Sequence, residues 1–182
     1  MTISEYYDSL EPKSDKGTTH NYINGYYNNE FTPKKNSELF ILELGLAGGD
    51  SIKIWAGWFT NVKIIGIDIQ DECVNIFSDA SNISIHVRDG YCENTLNEWP
   101  DNIFDYIIED GPHTLESQIF SVKYWIHKIK PGGKLIIEDI QSIDDLNSII
   151  ENIDKSKASY NIFDLRGDKG RYDDIIVELI KL

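Results

Sequence analysis

The chain has 182 residues, enough for one domain with a substantial buried core but not for two. Its 31 acidic and 17 basic residues give a formal net charge of −14, which argues against nucleic acids and anionic membrane surfaces as partners. The same charge is compatible with cationic ligands, metal ions and neutral substrates. Only two cysteines occur, and the first residues contain neither a basic region nor an apolar run. We therefore expect a reduced, cytoplasmic protein.

Short apolar runs rich in isoleucine and aromatic residues alternate with helix-like segments from residue 39 onward. The runs predict strands over 39–42, 62–68, 83–87, 104–108, 134–137, 160–165 and 172–180. Amphipathic spacing predicts helices over 51–59, 115–129 and 143–153, the second ended by Pro131-Gly132-Gly133. This alternation indicates a Rossmann-like, doubly wound α/β fold with a mostly parallel, seven-stranded sheet. Because only a polar loop joins the last two strands, we expect the last strand to be antiparallel.

The first 36 residues have a different pattern. Five of the ten tyrosines fall there among many polar residues, which is not the patterning of a buried core. We interpret residues 1–36 as a lid or substrate segment within a single domain that spans 1–182. Such a segment would lie across the carboxyl edge of the sheet, where folds of this kind bind ligands.

A glycine-rich turn follows the first predicted strand and opens the first helix; its sequence is Glu43-Leu44-Gly45-Leu46-Ala47-Gly48-Gly49-Asp50-Ser51. Glycine lets the backbone turn sharply and approach a ligand closely, and the free N–H groups of a helix N terminus can bind a carboxylate. Asp68 ends the second strand, where a carboxylate can accept hydrogen bonds from ribose hydroxyls. Together these features indicate a cofactor that contains a nucleoside.

The glycine spacing separates this turn from the G-x-G-x-x-G pattern of nicotinamide enzymes. The pattern E-x-G-x-x-G-G, followed by an acid at the end of the second strand, resembles the class I S-adenosylmethionine-dependent methyltransferases. The resemblance implies that Glu43 helps to place the methionyl end, Asp68 binds the ribose and Asp89 lies beside the adenine. It also implies that the cofactor contacts the turn at Gly45, Gly48, Gly49 and Ser51. The sulfonium of this cofactor is cationic, so an acidic pocket suits it.

Acidic residues follow the fourth and fifth predicted strands. Asp110 and His113 come after the fourth strand, and Glu138 and Asp139 come after the fifth. If these parallel strands are adjacent, their carboxyl ends bring the side chains together at one edge. Converging carboxylates raise one another's pKa values, and a divalent cation such as Mg²⁺, which prefers oxygen ligands, relieves the repulsion.

This constellation resembles the metal-dependent sugar O-methyltransferases that act on macrolide sugars, with the cephalosporin-hydroxylase-like proteins as relatives. The resemblance implies that Asp110, Glu138 and Asp139 hold Mg²⁺ and that His113 is the general base. Residues before the first strand also resemble the family's segment that closes over cofactor and substrate. This resemblance implies that Lys16, His20 and Tyr22 contact the substrate. The implied activity is transfer of a methyl group from S-adenosyl-L-methionine to a hydroxyl of a sugar or glycosylated small molecule.

Two other functions remain open at this stage. One is a catechol- or phenol-type O-methyltransferase, whose third metal ligand is usually Asn. The other is a non-catalytic subunit that binds the cofactor or a metal. The sequence also leaves open the acceptor, the hydroxyl position, a homodimer, and whether residues 160–174 close the fold or contact substrate.

Overall fold

Seven strands form one mixed sheet at positions close to the apolar runs of the sequence. The strands are β1 (Glu38–Leu44), β2 (Asn61–Asp68), β3 (Ile83–Val87), β4 (Phe104–Glu109), β5 (Ile129–Ile137), β6 (Ala158–Asp164) and β7 (Ile175–Lys181). The computed structural model describes residues 1–182 and orders the strands β3-β2-β1-β4-β5-β7-β6. Pairing is parallel from β3 through β5, whereas β7 runs antiparallel to both β5 and β6. The predicted fold class, including the antiparallel last strand, is confirmed.

Most of the connections contain short helices. These are α1 (Ile3–Asp8), α2 (Asp15–Thr18), α3 (Asn28–Phe31), α4 (Asp50–Trp58), α5 (Glu72–Ile76), α6 (Glu93–Leu96), α7 (Leu115–Lys123), α8 (Ile143–Glu151) and α9 (Arg166–Lys169). A π-helical turn covers Ile23–Tyr27, and 3₁₀ turns cover Thr32–Lys34 and Trp125–Lys128. None of the helices combines the length and the apolar character that a bilayer crossing needs.

The sheet separates two hydrophobic cores because successive side chains of a strand point to opposite faces. In β1, Ile41 belongs to one core and Leu42 to the other, and neither is exposed. Since β1 lies between β2 and β4, the strand order reverses beside it. In open α/β sheets, the crevice at the carboxyl ends of such strands is the usual ligand site.

The segment before β1 packs on one face of the sheet and is part of a core. Tyr7, Tyr22, Tyr26 and Tyr27 are buried in the same apolar cluster as Trp55 of α4. The expectation that residues 1–36 lack core patterning is therefore wrong. Tyrosine carries a large apolar ring together with one polar atom, so it can be buried when the hydroxyl finds a partner. The hydroxyl of Tyr26, for example, donates to a carboxylate oxygen of β7 at 2.6 Å.

Two boundaries also differ from the prediction. The helix predicted over 115–129 ends at Lys123, and the Pro131–Gly133 stretch expected to follow it lies inside β5. The β4–β5 register shifts there, and a Cβ on Gly133 would lie 2.7 Å from the carbonyl oxygen of Asp105. Gly133 thus permits a close approach of the β4 and β5 backbones at a strand irregularity, and it does not mark the end of a helix. Similarly, the polar loop expected between β6 and β7 contains α9.

Candidate active site at the carboxyl edge of the sheet

A cavity of about 1000 Å³ opens at the carboxyl edge of the sheet. Its walls come from the glycine-rich turn after β1, the ends of β2 and β3, the turn after β4, Asp139 after β5, and the loop before β7. Ser14, the residue before α2, and His20 also line the cavity, so the N-terminal segment closes one side of it. The cavity therefore lies at the reversal of strand order.

The glycine-rich turn depends on backbone conformations that favour glycine. Gly45 and Gly49 have φ values of 83° and 73°. A Cβ on Gly45 would overlap the carbonyl oxygen of Asp110, and one on Gly49 would lie 2.7 Å from the ring of Phe77. A Cβ on Gly48 would meet nothing within 4 Å. Gly45, Gly48 and Ser51 line the cavity, whereas Gly49 lies behind it and begins α4 without a side-chain cap.

Asp68 ties the glycine-rich turn to the end of β2. Its Oδ2 accepts hydrogen bonds from the N–H groups of Leu46 at 2.6 Å and Ala47 at 3.3 Å, and its Oδ1 accepts one from Gln70 at 2.9 Å. Asp68 lines the cavity, as does the exposed Asp89 after β3. The ribose and adenine roles implied for these acids remain predictions, and the sequence did not reveal that Asp68 also holds the turn.

Glu43 lies beneath the turn and does not line the cavity. Its side chain is completely buried, and Oε2 accepts a hydrogen bond from Trp55 Nε1 at 2.8 Å. Oε1 has no hydrogen-bond partner and lies 3.9 Å from the ammonium of Lys16. Burial raises the pKa of Glu43 to about 7. This position allows Glu43 to shape the turn from below, and its implied contact with the methionyl end remains a prediction.

Lys16 places a buried ammonium among the acids at the ends of β1, β4 and β5. Its Nζ donates to Asp110 Oδ2 at 2.6 Å and to Glu138 Oε2, and the lysine is only 2% exposed. Burial alone would lower the pKa of Lys16, but the charges of Asp110 and Glu138 raise it well above its usual value. The sequence suggested that Lys16 contacts substrate, which remains a prediction; Lys16 does not line the cavity, and its ammonium contacts Asp110, which does, and two buried glutamates that do not.

Three of the four residues predicted for the acidic cluster converge on the cavity. One ligand atom from each of Asp110, His113 and Asp139 lies within 4.8 Å of the other two, and His113 Nε2 is 3.7 Å from Asp139 Oδ2. Burial, followed by the charge of Asp110, raises the pKa of Asp139. Glu138 does not join this group, because it is fully buried and held by Lys16 and Tyr27.

His113 and Asp139 also share an unusual backbone conformation. Both have φ values of 54°, in the left-handed region that non-glycine residues seldom adopt. Such conformations cost on the order of 1–3 kcal/mol each and persist where the surroundings enforce them, often at functional sites. The strained backbone therefore belongs to the two residues whose side chains face each other in the cavity.

A second group of side chains adjoins Asp139. His20 Nδ1 lies 2.5 Å from Asp174 Oδ1, and the His20 ring stacks on Tyr22 with 4.7 Å between centroids. Tyr22 donates to Asp139 Oδ1 at 2.6 Å. Asp173 is also near enough to complete a four-residue group with His20, Asp139 and Asp174. Asp139 thus belongs to both clusters.

Sequence reasoning missed Asp173 and Asp174, although a signal existed. Because β7 is antiparallel, the residues just before it lie at the edge where β5 ends, so two acids at that point belong beside Asp139. In the same loop, Arg171 lines the cavity and donates to Asp173 Oδ2 at 2.7 Å. Arg166 instead pairs locally with Asp164 at 2.7 Å. Of the region left open by the sequence, Arg171 and Asp173 thus reach the cavity.

Fold and site together define an α/β protein in which one cavity combines a glycine-rich, nucleoside-type turn with a cluster of acids and histidine. Residues 42–140 match the family described as "Methyltransferase domain", and the chain belongs to this family. The resemblance to methyltransferases is therefore confirmed at the level of the family.

Curated relatives match this chain over only part of their own length. A 145-residue region is 27% identical to 8-demethyl-8-alpha-L-rhamnosyl tetracenomycin-C 2'-O-methyltransferase of Streptomyces olivaceus, covering 74% of this chain and 37% of that protein. A 133-residue region is 29% identical to demethylmacrocin O-methyltransferase of Streptomyces fradiae, covering 68% of this chain and 33% of that protein. The matches thus span about a third of each relative.

Solved structures share the fold at low sequence identity. The MycE methyltransferase from the mycinamycin biosynthetic pathway, in complex with Mg, SAH and mycinamycin VI, has a TM-score of 0.71 and 21% identity, covering 98% of this chain and 53% of that chain. A putative rRNA-methylase from Clostridium thermocellum has a TM-score of 0.66 and 16% identity, covering 95% of this chain and 98% of that chain. At these identities the similarity establishes the fold alone.

Proposed function

We propose that this protein is a metal-dependent O-methyltransferase that transfers a methyl group from S-adenosyl-L-methionine to a hydroxyl of a sugar or glycosylated small molecule. The observation that carries the proposal is a single cavity that joins the glycine-rich turn to the Asp110, His113 and Asp139 cluster. The names of the curated relatives, which are O-methyltransferases of rhamnosyl tetracenomycin and macrocin compounds, support the substrate class.

The cavity wall fits the proposed cofactor. Gly48 leaves open space at the turn, and α4 begins without a side-chain cap, so its first N–H groups are available to a carboxylate. Asp68 and Asp89 line the part of the cavity that the ends of β2 and β3 form, where a ribose and an adenine would lie. The acids in this wall also favour a cationic sulfonium.

The donor set on the other side of the cavity fits a divalent metal ion. Asp110 and Asp139 offer carboxylate oxygens within 4.8 Å of each other, and burial together with the charge of Asp110 raises the pKa of Asp139. A hard cation such as Mg²⁺ relieves this repulsion, so these two residues would hold it. When bound, the metal acts as a Lewis acid that lowers the pKa of a substrate hydroxyl.

His113 is placed to take the proton of the acceptor hydroxyl. Its ring lines the cavity with Nε2 directed toward Asp139, and its strained backbone holds it near the acids. In the proposed reaction, His113 accepts the hydroxyl proton as the hydroxyl oxygen attacks the methyl carbon in line with the sulfur. The carbon–oxygen bond forms while the carbon–sulfur bond breaks, and neutral S-adenosylhomocysteine leaves. The protein's main contribution is then the alignment of oxygen, carbon and sulfur.

Methyl transfer from S-adenosyl-L-methionine to a panel of glycosides, with Mg²⁺ or with EDTA, tests this function. We expect transfer with Mg²⁺, no transfer with EDTA, and no transfer by Asp139→Ala or His113→Ala although both still bind S-adenosylhomocysteine in calorimetric titrations. Transfer to simple phenols but not to glycosides would favour a catechol-type enzyme. Full activity in EDTA would contradict the metal assignment. A homodimer is part of the proposal, and light scattering tests it.

A further inference from the structure

A second pocket opens beside the cavity, on the loop that joins β6 to β7. It has a volume of about 550 Å³, is open to solvent, and is lined by Asp164, Arg166, Gly167, Gly170, Arg171 and Tyr172. We call this space the outer pocket. Arg171 lines both the outer pocket and the cavity of the proposed active site. An acceptor long enough to pass Arg171 would therefore occupy the two spaces together.

The outer pocket presents one exposed aromatic ring. Tyr172 is 63% exposed, and its hydroxyl donates to Gln141 Oε1 at 3.1 Å, which holds the ring at one end. The guanidinium carbon of Arg171 lies 5.8 Å from the centroid of the same ring. A tyrosine held in this way offers a flat apolar surface that loses little conformational entropy on binding. The C–H groups of a sugar ring can stack on such a surface.

The charged side chains of the outer pocket are already paired within the protein. Arg166 donates to Asp164 through Nε at 2.8 Å and through Nη2 at 2.7 Å. Arg171 donates to Asp173 Oδ2 at 2.7 Å. These pairs leave no net positive charge for an anionic group, whereas their remaining N–H groups and carboxylate lone pairs can bond to hydroxyls.

The outer pocket also offers little to an apolar ligand. Tyr172 is the one apolar ring among its six lining residues, and the others are charged residues or glycines. A neutral ligand with many hydroxyls fits this lining better than an apolar aglycone, because polar groups buried without hydrogen-bond partners lower affinity. The chemistry of the lining therefore suits a second sugar.

The loop that forms the outer pocket is fastened to the N-terminal segment. Lys169 donates to the carbonyl oxygens of Gly17 and Thr18, the second at 2.9 Å. Asn21 Nδ2 donates to Asp168 Oδ2 at 2.6 Å. A site on a loop that is already held in place costs less to order when a ligand binds.

We propose that the outer pocket is an acceptor subsite for a second, neutral sugar. The acceptor is then an oligosaccharide or a glycoside that carries at least two sugars. The sugar that receives the methyl group lies in the cavity, and its neighbour stacks on Tyr172. This inference rests on the proposed O-methyltransferase function and narrows its substrate class.

A glycan array of mono-, di- and trisaccharides, probed with the protein in the presence of S-adenosylhomocysteine and Mg²⁺, tests the inference without a transfer assay. Calorimetric titrations then compare the best-bound disaccharide with the methyl and phenyl glycosides of each of its two sugars. We expect the disaccharide to bind at least about tenfold more tightly than either methyl glycoside. The phenyl glycosides should gain little, because the outer pocket has few apolar side chains.

Two substitutions remove the features that would hold the second sugar. Tyr172→Ala deletes the ring, and Gly167→Leu fills the space, since a Cβ on Gly167 would meet nothing within 4 Å. Each should abolish most of the preference for the disaccharide and leave the affinity for S-adenosylhomocysteine unchanged. Tyr172→Phe keeps the ring and should keep the preference. Tyr124→Ala is the matched control, because Tyr124 is an exposed tyrosine outside both the cavity and the outer pocket.

Three results would overturn the inference: no oligosaccharide bound on the array, an equal gain from the phenyl group, or a disaccharide affinity that survives both Tyr172→Ala and Gly167→Leu. A methyl-transfer assay separates the inference from the function on which it rests. Transfer to monosaccharide glycosides with no gain from a second sugar would overturn the inference and leave the proposed function intact. Transfer to no glycoside, with disaccharides bound as expected, would contradict the proposed function and leave the sugar subsite.

Discussion

The Tyr22 hydroxyl donates to Asp139 Oδ1 at 2.6 Å, so a residue of the N-terminal segment orients a candidate metal ligand 117 positions later in the chain. We predict that Tyr22→Phe folds but binds Mn²⁺ about tenfold more weakly, because partners that orient ligands tune metal affinity. Calorimetric titration with Mn²⁺ measures the effect.

Tyr26→Phe is the matched control for this change. Tyr26 also donates to a buried carboxylate, Glu178, which lies away from the cavity and keeps Lys134 and Asn161 as partners. We expect Tyr26→Phe to lower the free energy of unfolding by about 1–2 kcal/mol and to leave the Mn²⁺ affinity unchanged. Equal Mn²⁺ affinity in the two variants would show that the Tyr22 contact does not serve the metal site.

Asp68→Asn tests the link between the turn and β2. The carboxylate accepts three backbone N–H bonds, from Leu46, Ala47 and Gln70, and charge-assisted bonds of this kind are stronger than neutral ones. We expect a loss of about 1–3 kcal/mol in urea denaturation, together with at least a tenfold weaker affinity for S-adenosylhomocysteine. A variant that retains both the stability and the affinity of the wild type would refute the double role of Asp68.

Substitution by alanine should affect two neighbouring glycines differently, lowering stability at one and ligand affinity at the other. Gly49→Ala introduces a Cβ at φ 73°, 2.7 Å from the Phe77 ring, and should destabilise the protein by about 1–3 kcal/mol. Gly48→Ala adds a Cβ that contacts no protein atom but faces the cavity, so stability should be unchanged while affinity for S-adenosylhomocysteine falls. Thermal denaturation and calorimetry separate the two effects, and a stable Gly49→Ala would contradict the structure of the turn.

The pKa of Glu43 predicts a pH dependence of stability. Burial raises this pKa from 4.5 to about 7, so the folded state binds the proton more tightly than the unfolded state. The resulting stability is fully present below pH 4.5 and is lost as the pH rises through about 7. The wild type should therefore lose up to about 3 kcal/mol relative to Glu43→Gln between pH 5 and 8. Parallel pH profiles for the two proteins in urea denaturation would contradict this expectation.

Local patterns were sufficient for the sheet and for part of the site. Apolar runs located all seven strands, and the rule that adjacent parallel strands end at one edge brought Asp110, His113 and Asp139 together. The helix predicted over 115–129 is too long, because Pro131 and the two glycines after it do not end a helix but accommodate a register shift in β5.

The remaining features depend on how distant segments pack. The position of Lys16 among three acids follows from the N-terminal segment lying on the sheet, and no local pattern encodes that contact. The burial of the tyrosines in that segment does not follow from periodicity, because their neighbours in the sequence are polar. Asp173 and Asp174 could have been placed at the edge, since an antiparallel β7 must begin where β5 ends.

We propose that one cavity holds both the methyl donor and the metal that serves the acceptor. A crystal structure of the protein with S-adenosylhomocysteine and Mn²⁺ tests this claim, because Mn²⁺ is located by its anomalous scattering. We predict S-adenosylhomocysteine along the glycine-rich turn beside Asp68 and Asp89, and an anomalous peak at the carboxylates of Asp110 and Asp139. A nucleoside bound elsewhere, or no peak at these two carboxylates, would contradict the claim.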